Sequence, residues 1–394
     1  MVTMAANLPI VALEGSPREW GVQHGKAAKE RIVANVELYG KRFAYWTKAS
    51  PADLRKRAEA YREVVAKSSP PYYAAMEGIA EGSGQDLLDV VAVNVRYEIL
   101  YSGFAARGME AERSKLAAVG GCTSFAIAPS HSANGHLLVG QNWDWIPEVQ
   151  GLLVRAKAKN GTRQLAFTEA GIAGAKIGLN SHGIGLAVNG LVSNVDSWSR
   201  LRKPFHVRCW EILAAKDFGT AAKAIAGEPR ACSANFVVAQ AGTPPRIVDF
   251  ETAPEGECRL EATDGFVTHT NHFLDQDKLG IWQPLAEDRR STFHRYDRMQ
   301  SMLRSFAQRG RKVGVEDLKT MLADHDGAPD CICRHVLESR PPEERFATVV
   351  SVILDLDGKE MFVASGTPCT ARYRRISLTE ETVPRKPASG RAAA

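Results

Sequence analysis

No stretch of the 394-residue chain strings together the roughly 18 apolar residues that a membrane-spanning helix needs. Residues 1–9 also lack the basic start and apolar run of a secretory signal. These absences lead us to expect a cytoplasmic protein with no membrane partner. Charge of one sign is scarce too: 50 Lys+Arg against 45 Asp+Glu leave +5. No block of basic residues concentrates that excess, so a nucleic-acid partner is not expected. A Gly-x-Ser-x-Gly elbow, a phosphate-loop Gly-Lys-Ser/Thr, a GxGxxG fingerprint and a His-Glu-x-x-His pair are all missing, which removes the common hydrolase, nucleotide and zinc-protease signatures. Seven scattered cysteines are too few for a disulfide scaffold, and the odd count leaves at least one thiol free for chemistry. With 44% hydrophobic and 24% charged residues, the chain reads as an ordinary globular protein of one large domain or two average ones.

After a strand-like start at 9–13, residues 19–113 read as helical, with Ile32, Val36, Tyr39 and Phe43 falling on one face. Pro51, Pro70-Pro71 and Gly82-Ser83-Gly84 divide this stretch into about four helices. The character changes at Gly120-Gly121. Strand-like runs follow at 122–128, 136–140, 152–158, 164–168, 176–179 and 184–188. A helical stretch over 204–226, strands at 235–239 and 246–251, helices at 289–309 and 315–323, and a hairpin of 348–354 with 361–364 complete the pattern. Helices, strands, helices and strands in that order predict two packed sheets with helical layers outside. Residues 384–394 are expected to be disordered.

Candidate chemistry starts at Cys122, a thiol at the head of a predicted strand behind two glycines that tolerate strained backbone. The plainer reading is a buried core cysteine. Two strands of a hairpin bring Asp144, flanked by Trp143 and Trp145, back towards Cys122, and the indoles would partly desolvate its carboxylate. That carboxylate equally suits a turn or cap. Asn271 and His272, and separately Asn189, offer side-chain donors for an oxyanion, or bonds to loop backbone. His325, Cys331, Cys333 and His335 have the ligand types of zinc, but Cys-Ile-Cys is not the usual ligand spacing. No metal is expected.

The motifs together resemble the acyl-coenzyme A:6-aminopenicillanic acid acyltransferase family, autoproteolytic members of the N-terminal nucleophile hydrolases. The resemblance runs in order from Gly15-Ser16-Pro17-Arg18-Glu19-Trp20-Gly21 through Asn94-Val95-Arg96-Tyr97-Glu98, Gly121-Cys122-Thr123 and Gln141-Asn142-Trp143-Asp144. It continues through Ser233-Ala234-Asn235-Phe236, Thr270-Asn271-His272-Phe273, Cys333-Arg334-His335 and Ala347-Thr348, covering nearly the whole chain. It implies an α+β fold, the four-layer αββα sandwich.

It also implies self-cleavage between Gly121 and Cys122, giving a helical pro-segment of residues 1–121 and a catalytic portion of residues 122–383, one compact domain held as a heterodimer. The freed Cys122 would act as nucleophile through its thiol and as base through its α-amine, whose ordinary pKa of about 7.7–8.0 suits neutral pH. Asn271, with Asn189 as a second candidate, would hold the oxyanion, and Asp144 would orient Cys122. An arginine just before Ala347 would favour the thiolate. Arg345 is the candidate, although an apparent insertion at 339–345 leaves Arg340 open. The family pattern calls for no cofactor and makes His325 and His335 structural. The expected activity is amide hydrolysis or acyl transfer on a small N-acyl amide or peptide, passing through acyl-S-Cys122. The rivals are an unprocessed ligand-binding or sensor protein of the same fold, a coenzyme A-dependent N-acyltransferase, and a zinc-stabilised structural protein.

Overall fold

The computed structural model describes residues 8–111, 121–284 and 290–379. The predicted tail at 384–394 and the residue Gly120 lie outside them. After β1 (Ile10–Gly15), six helices follow: α1 (Pro17–Ala27), α2 (Lys29–Thr47), α3 (Pro51–Ser68), α4 (Pro70–Ser83), α5 (Leu87–Asn94) and α6 (Arg96–Ala111). The sequence predicts about four. Capping residues mark the starts: Ser16 forms a capping box with Glu19 ahead of Pro17, Ser50 caps ahead of Pro51, and Asp86 accepts from Leu88 N.

Strands β2 (Gly121–Ile127), β3 (Leu138–Trp145), β4 (Gly151–Ala158), β5 (Arg163–Glu169), β6 (Ile177–Asn180) and β7 (Ile184–Gly190) come next. After α7 (Phe205–Ala214) and α8 (Phe218–Ile225) the chain forms β8 (Ala234–Gln240), β9 (Arg246–Ala253), β10 (Gly256–Glu261) and β11 (Phe266–His269). Helices α9 (Arg290–Gln308) and α10 (Val315–Leu322) precede β12 (Ala347–Asp355), β13 (Glu360–Ser365) and β14 (Arg374–Ser377). The sequence pattern missed β10, β11 and β14, of which β11 and β14 are four-residue strands.

The strands form two sheets, one of eight in the order β1-β4-β5-β6-β7-β8-β9-β10 and one of six in the order β11-β2-β3-β12-β13-β14. One face of the smaller sheet, with Phe125, Ile127, Leu138 and Ile353, packs on Met299 and Leu303 of α9 and Leu318, Met321 and Leu322 of α10. Its other face, with Ala126, Val139, Trp143, Val350 and Val352, joins the core shared with the larger sheet and the remaining helices. This is the αββα order expected of an N-terminal nucleophile hydrolase. Burial on both faces explains why β2, β3 and β12 carry near-continuous buried runs instead of alternating polar residues. Polar contacts lock the sheets face to face: Gln141 Oε1 accepts from Val188 N at 2.9 Å, and Ser124 Oγ donates to Asn189 Oδ1 at 2.6 Å.

Candidate functional site

The head of β2 gathers the polar groups. Antiparallel pairing sets Gly121 opposite Asp144 and Cys122 opposite Trp143, and β12 sets Thr348 opposite Asp144. Side chains alternate across a strand, so Cys122 and Trp143 point between the sheets while Asp144 points towards α9. Cys122 is buried. Its backbone N–H donates to Asn271 Oδ1 at 2.5 Å, and its carbonyl accepts from Arg295 Nη1. Arg295 Nη2 also donates to Asn271 Oδ1 at 3.1 Å, so one guanidinium braces both the cysteine and the asparagine. Asn271 is held in turn by its N–H to Thr292 Oγ1 at 2.8 Å and its Nδ2 to Gly190 O at 3.0 Å.

Around Gly121 the charges converge. A Cβ added there would lie 2.6 Å from Arg334 Nη1, 3.1 Å from Asp144 Oδ2 and 3.3 Å from Arg295 Nη2, so a larger residue here would have to displace these charged side-chain ends. Asp144 Oδ1 accepts from Thr348 Oγ1 at 2.7 Å, whereas its buried Oδ2 has no hydrogen-bond partner among the described residues. Burial pushes the Asp144 carboxyl up to about 7, with Arg295, Arg334 and the Thr348 bond pulling the other way. Burial and then the charge of Asp144 push the Cys122 thiol up to about 11, against Arg295 and Lys176. A thiol in that state is a poor nucleophile until a base relieves it of its proton.

Between the sheets a second buried cluster approaches from the Trp143 side. Lys176 Nζ sits 3.3 Å above the centre of the Trp143 ring and pairs with Glu169, which also pairs with Arg96 and accepts from Tyr39 OH. Arg96 stacks over Trp145 at 4.7 Å, and Trp145 Nε1 donates to Tyr39 OH at 2.8 Å. Although burial opposes it, the two cations hold Glu169 at about 2. Burial pulls Lys176 down to about 7, making it the member of the cluster able to lose a proton near neutrality.

Several expectations are corrected. Arg345 is not at the site: it donates to Arg340 O at 2.9 Å and Glu338 O at 2.7 Å and pairs with Glu338, all within its own loop. Arg295 and Arg334 occupy the place expected for it. Asn189 meets Ser124, two residues along β2, in place of Cys122. His272 lies behind Asn271, bonded through Nδ1 to Thr270 and Thr292 hydroxyls, and burial lowers it to about 3, so it stays neutral. Arg295 sits in a helix whose sequence reads simply as amphipathic, and nothing local marks it as buried. Arg334 belongs to the motif Cys333-Arg334-His335, whose sequence does not distinguish it from the arginine just before Ala347.

Residues 131–369 match the family model described as acyl-coenzyme A:6-aminopenicillanic acid acyl-transferase. The chain belongs to this family. The matched segment contains Asp144, Asn271 and Arg334. Over 368 residues the chain is 27% identical to the 40 kDa form of acyl-coenzyme A:6-aminopenicillanic-acid-acyltransferase from Emericella nidulans, an overlap of 91% of this chain and 92% of that one. Among solved structures it is similar to a conjugated bile acid hydrolase from Clostridium perfringens, with a TM-score of 0.45 and 11% identity over 66% of this chain and 93% of the other. It is also similar to an N-acylethanolamine-hydrolyzing acid amidase ortholog from Caenorhabditis elegans, with a TM-score of 0.42 and 15% identity over 60% and 93%. No described helix is long and apolar enough to cross a membrane.

Proposed function

We propose that this member of the acyltransferase family is a self-cleaving cysteine amidohydrolase or acyltransferase, with Cys122 as nucleophile and Gly121-Cys122 as the bond cut. The observation that carries the reading is the bracing of Cys122, its N–H on Asn271 Oδ1 and its carbonyl on Arg295, at a strand head where Asp144, Arg295 and Arg334 surround Gly121. In maturation the Cys122 thiol gives up its proton and Sγ bonds to the Gly121 carbonyl carbon. The C–N bond then breaks, and the nitrogen, protonated, leaves as the Cys122 α-amine. Water cleaves the resulting thioester to a Gly121 carboxylate and a free thiol.

The freed amine supplies what the buried thiol lacks, a base with a pKa near 8. In turnover it takes the thiol proton as Sγ attacks the substrate carbonyl and returns it to the departing amine. The acyl-S-Cys122 thioester then passes its acyl group to water or to an acceptor amine. Asn271 supplies amide hydrogen for the oxyanion, and Asp144, whose Oδ2 lies beside Gly121, is the carboxylate next to the position where a new ammonium would form. The substrate is a small N-acyl amide or peptide. An amide donor is favoured over coenzyme A because the chain has no basic block to hold the phosphates.

Intact mass and N-terminal sequencing of wild type beside Cys122→Ala test this. Of the 42.9 kDa chain, cleavage leaves pieces of about 13 and about 30 kDa at average residue mass. The larger piece begins Cys-Thr-Ser, and the variant stays whole. An uncut chain recovered from active protein overturns the proposal.

A further inference from the structure

On either side of Arg334 in the chain, and across from it after β13, four side chains from two connections turn their ligand atoms towards one another. His325 follows α10, Cys333 and His335 lie on the segment entering β12, and Cys369 follows β13. His325 Nε2 is 3.1 Å from His335 Nε2. That same His335 nitrogen is 3.3 Å from Cys369 Sγ and 3.8 Å from Cys333 Sγ. All four atoms lie within 4.8 Å of one another.

Hydrogen bonding cannot account for this convergence. An imidazole nitrogen has either one hydrogen or one lone pair to offer, and three partners crowd this one. A cation at the centre satisfies all four atoms together. Zinc–sulfur bonds of about 2.3 Å and zinc–nitrogen bonds of about 2.0–2.1 Å set tetrahedral edges of about 3.3 Å between nitrogens and about 3.6 Å between nitrogen and sulfur, near the 3.1 Å N–N and the 3.3 and 3.8 Å N–S separations around His335.

We propose that His325, Cys333, His335 and Cys369 form a closed Cys2His2 site for one zinc ion. The site is structural in type, because four protein ligands leave no open position for a substrate or an activated water. It differs from the set weighed in the sequence, since Cys331 is turned away with its Sγ on Cys333 O at 3.0 Å. Cys369, 34 residues beyond His335, takes its place, a separation no local motif would flag. Binding releases the two thiol protons and fastens the connection after β13 to the one that leads into β12. Arg334, lying between two of the ligands, is anchored on both sides.

The test is elemental analysis of the full chain purified under reductant from zinc-supplemented medium, alongside Cys369→Ser, His325→Ala and Cys331→Ser. Wild type and Cys331→Ser should carry about one zinc per chain, and the other two at least tenfold less. Adding Co2+ to chelator-stripped wild type should give the visible absorption of tetrahedral cobalt with thiolate ligands, a readout independent of any variant's folding. The metal content does not depend on self-cleavage or turnover, so it is read separately from the proposed function. Wild type that takes up neither metal, equal zinc in all four proteins, or a Cys333–Cys369 disulfide in peptide maps made without reductant overturns the proposal.

Discussion

Arg295 is the residue on which the site depends most heavily. It is buried and bonds to Cys122 O, Thr123 Oγ1, Asn271 Oδ1 and Ser291 Oγ. Arg295→Met strands those acceptors away from water and should cost about 3–5 kcal/mol, a penalty of the kind seen when one partner of a buried charged network is removed. Chemical denaturation measures it. For Asn271→Ala, we expect turnover to fall by about 10²–10³-fold, the usual loss for an oxyanion donor. Arg345→Ala should leave both maturation and turnover within about twofold of wild type, since its partners lie in its own loop, while Arg334→Ala should slow maturation. Equal effects from the two arginine variants would refute the placement made here. Cys122, Asp144 and Asn271, which the fold brings together, stood out in the sequence because each belongs to a short contiguous motif. Arg295, Lys176 and Glu169 did not, because burial of a single charged side chain is decided by tertiary packing and leaves no local pattern, while Arg334 lies in a motif that does not by itself say where its side chain goes.

At the scale of elements, helices α1 and α4 cross so closely that a Cβ on Gly21 would lie 2.1 Å from Ala75 O. Gly21→Ala must force two backbones apart and should destabilise by about 1–3 kcal/mol or more. Gly40, inside α2, has nothing within 4 Å of an added Cβ. Gly40→Ala should instead stabilise by about 0.5–1 kcal/mol through helix propensity. Melting curves of the two variants should therefore move in opposite directions. The last residue of β11 carries a pH-dependent element. His269 Nε2 meets Glu251 at 2.9 Å, and although burial lowers the imidazole, Asp249 and Glu251 outweigh it and raise His269 to about 9. A histidine raised above its unfolded value of about 6.5 stabilises fully below that pH and loses the contribution as pH climbs through about 9. The gap in stability between wild type and His269→Gln, about 3 kcal/mol at pH 6, should close above pH 9. The helices and long strands were readable because caps, proline punctuation and apolar runs are local. Strands β10 and β14 escaped because Gly256–Glu261 and Arg374–Ser377 are mostly polar or charged, and with β11 they take their form from pairing with β9, β13 and β2.

For the molecule as a whole, the cut proposed at Gly121-Cys122 would not release the front piece. Strand β1 pairs in parallel with β4 from Ile10↔Leu153 to Gly15↔Ala158, and Tyr97 OH donates to Ser233 O at 2.7 Å. The two fragments should co-elute on size exclusion and separate only in denaturant, and separation in plain buffer would contradict this. The Glu169 cluster carries that dependence into inheritance. Its carboxylate and lysine come from behind the cut, while the tyrosine and arginine that complete it come from in front. A front half borrowed from a relative would serve this back half only if it delivered a tyrosine and an arginine to the same two places. Otherwise the graft would leave Glu169 with one cation in place of two, sealed in the interior. Even if cleaved, the halves would remain one unit of variation.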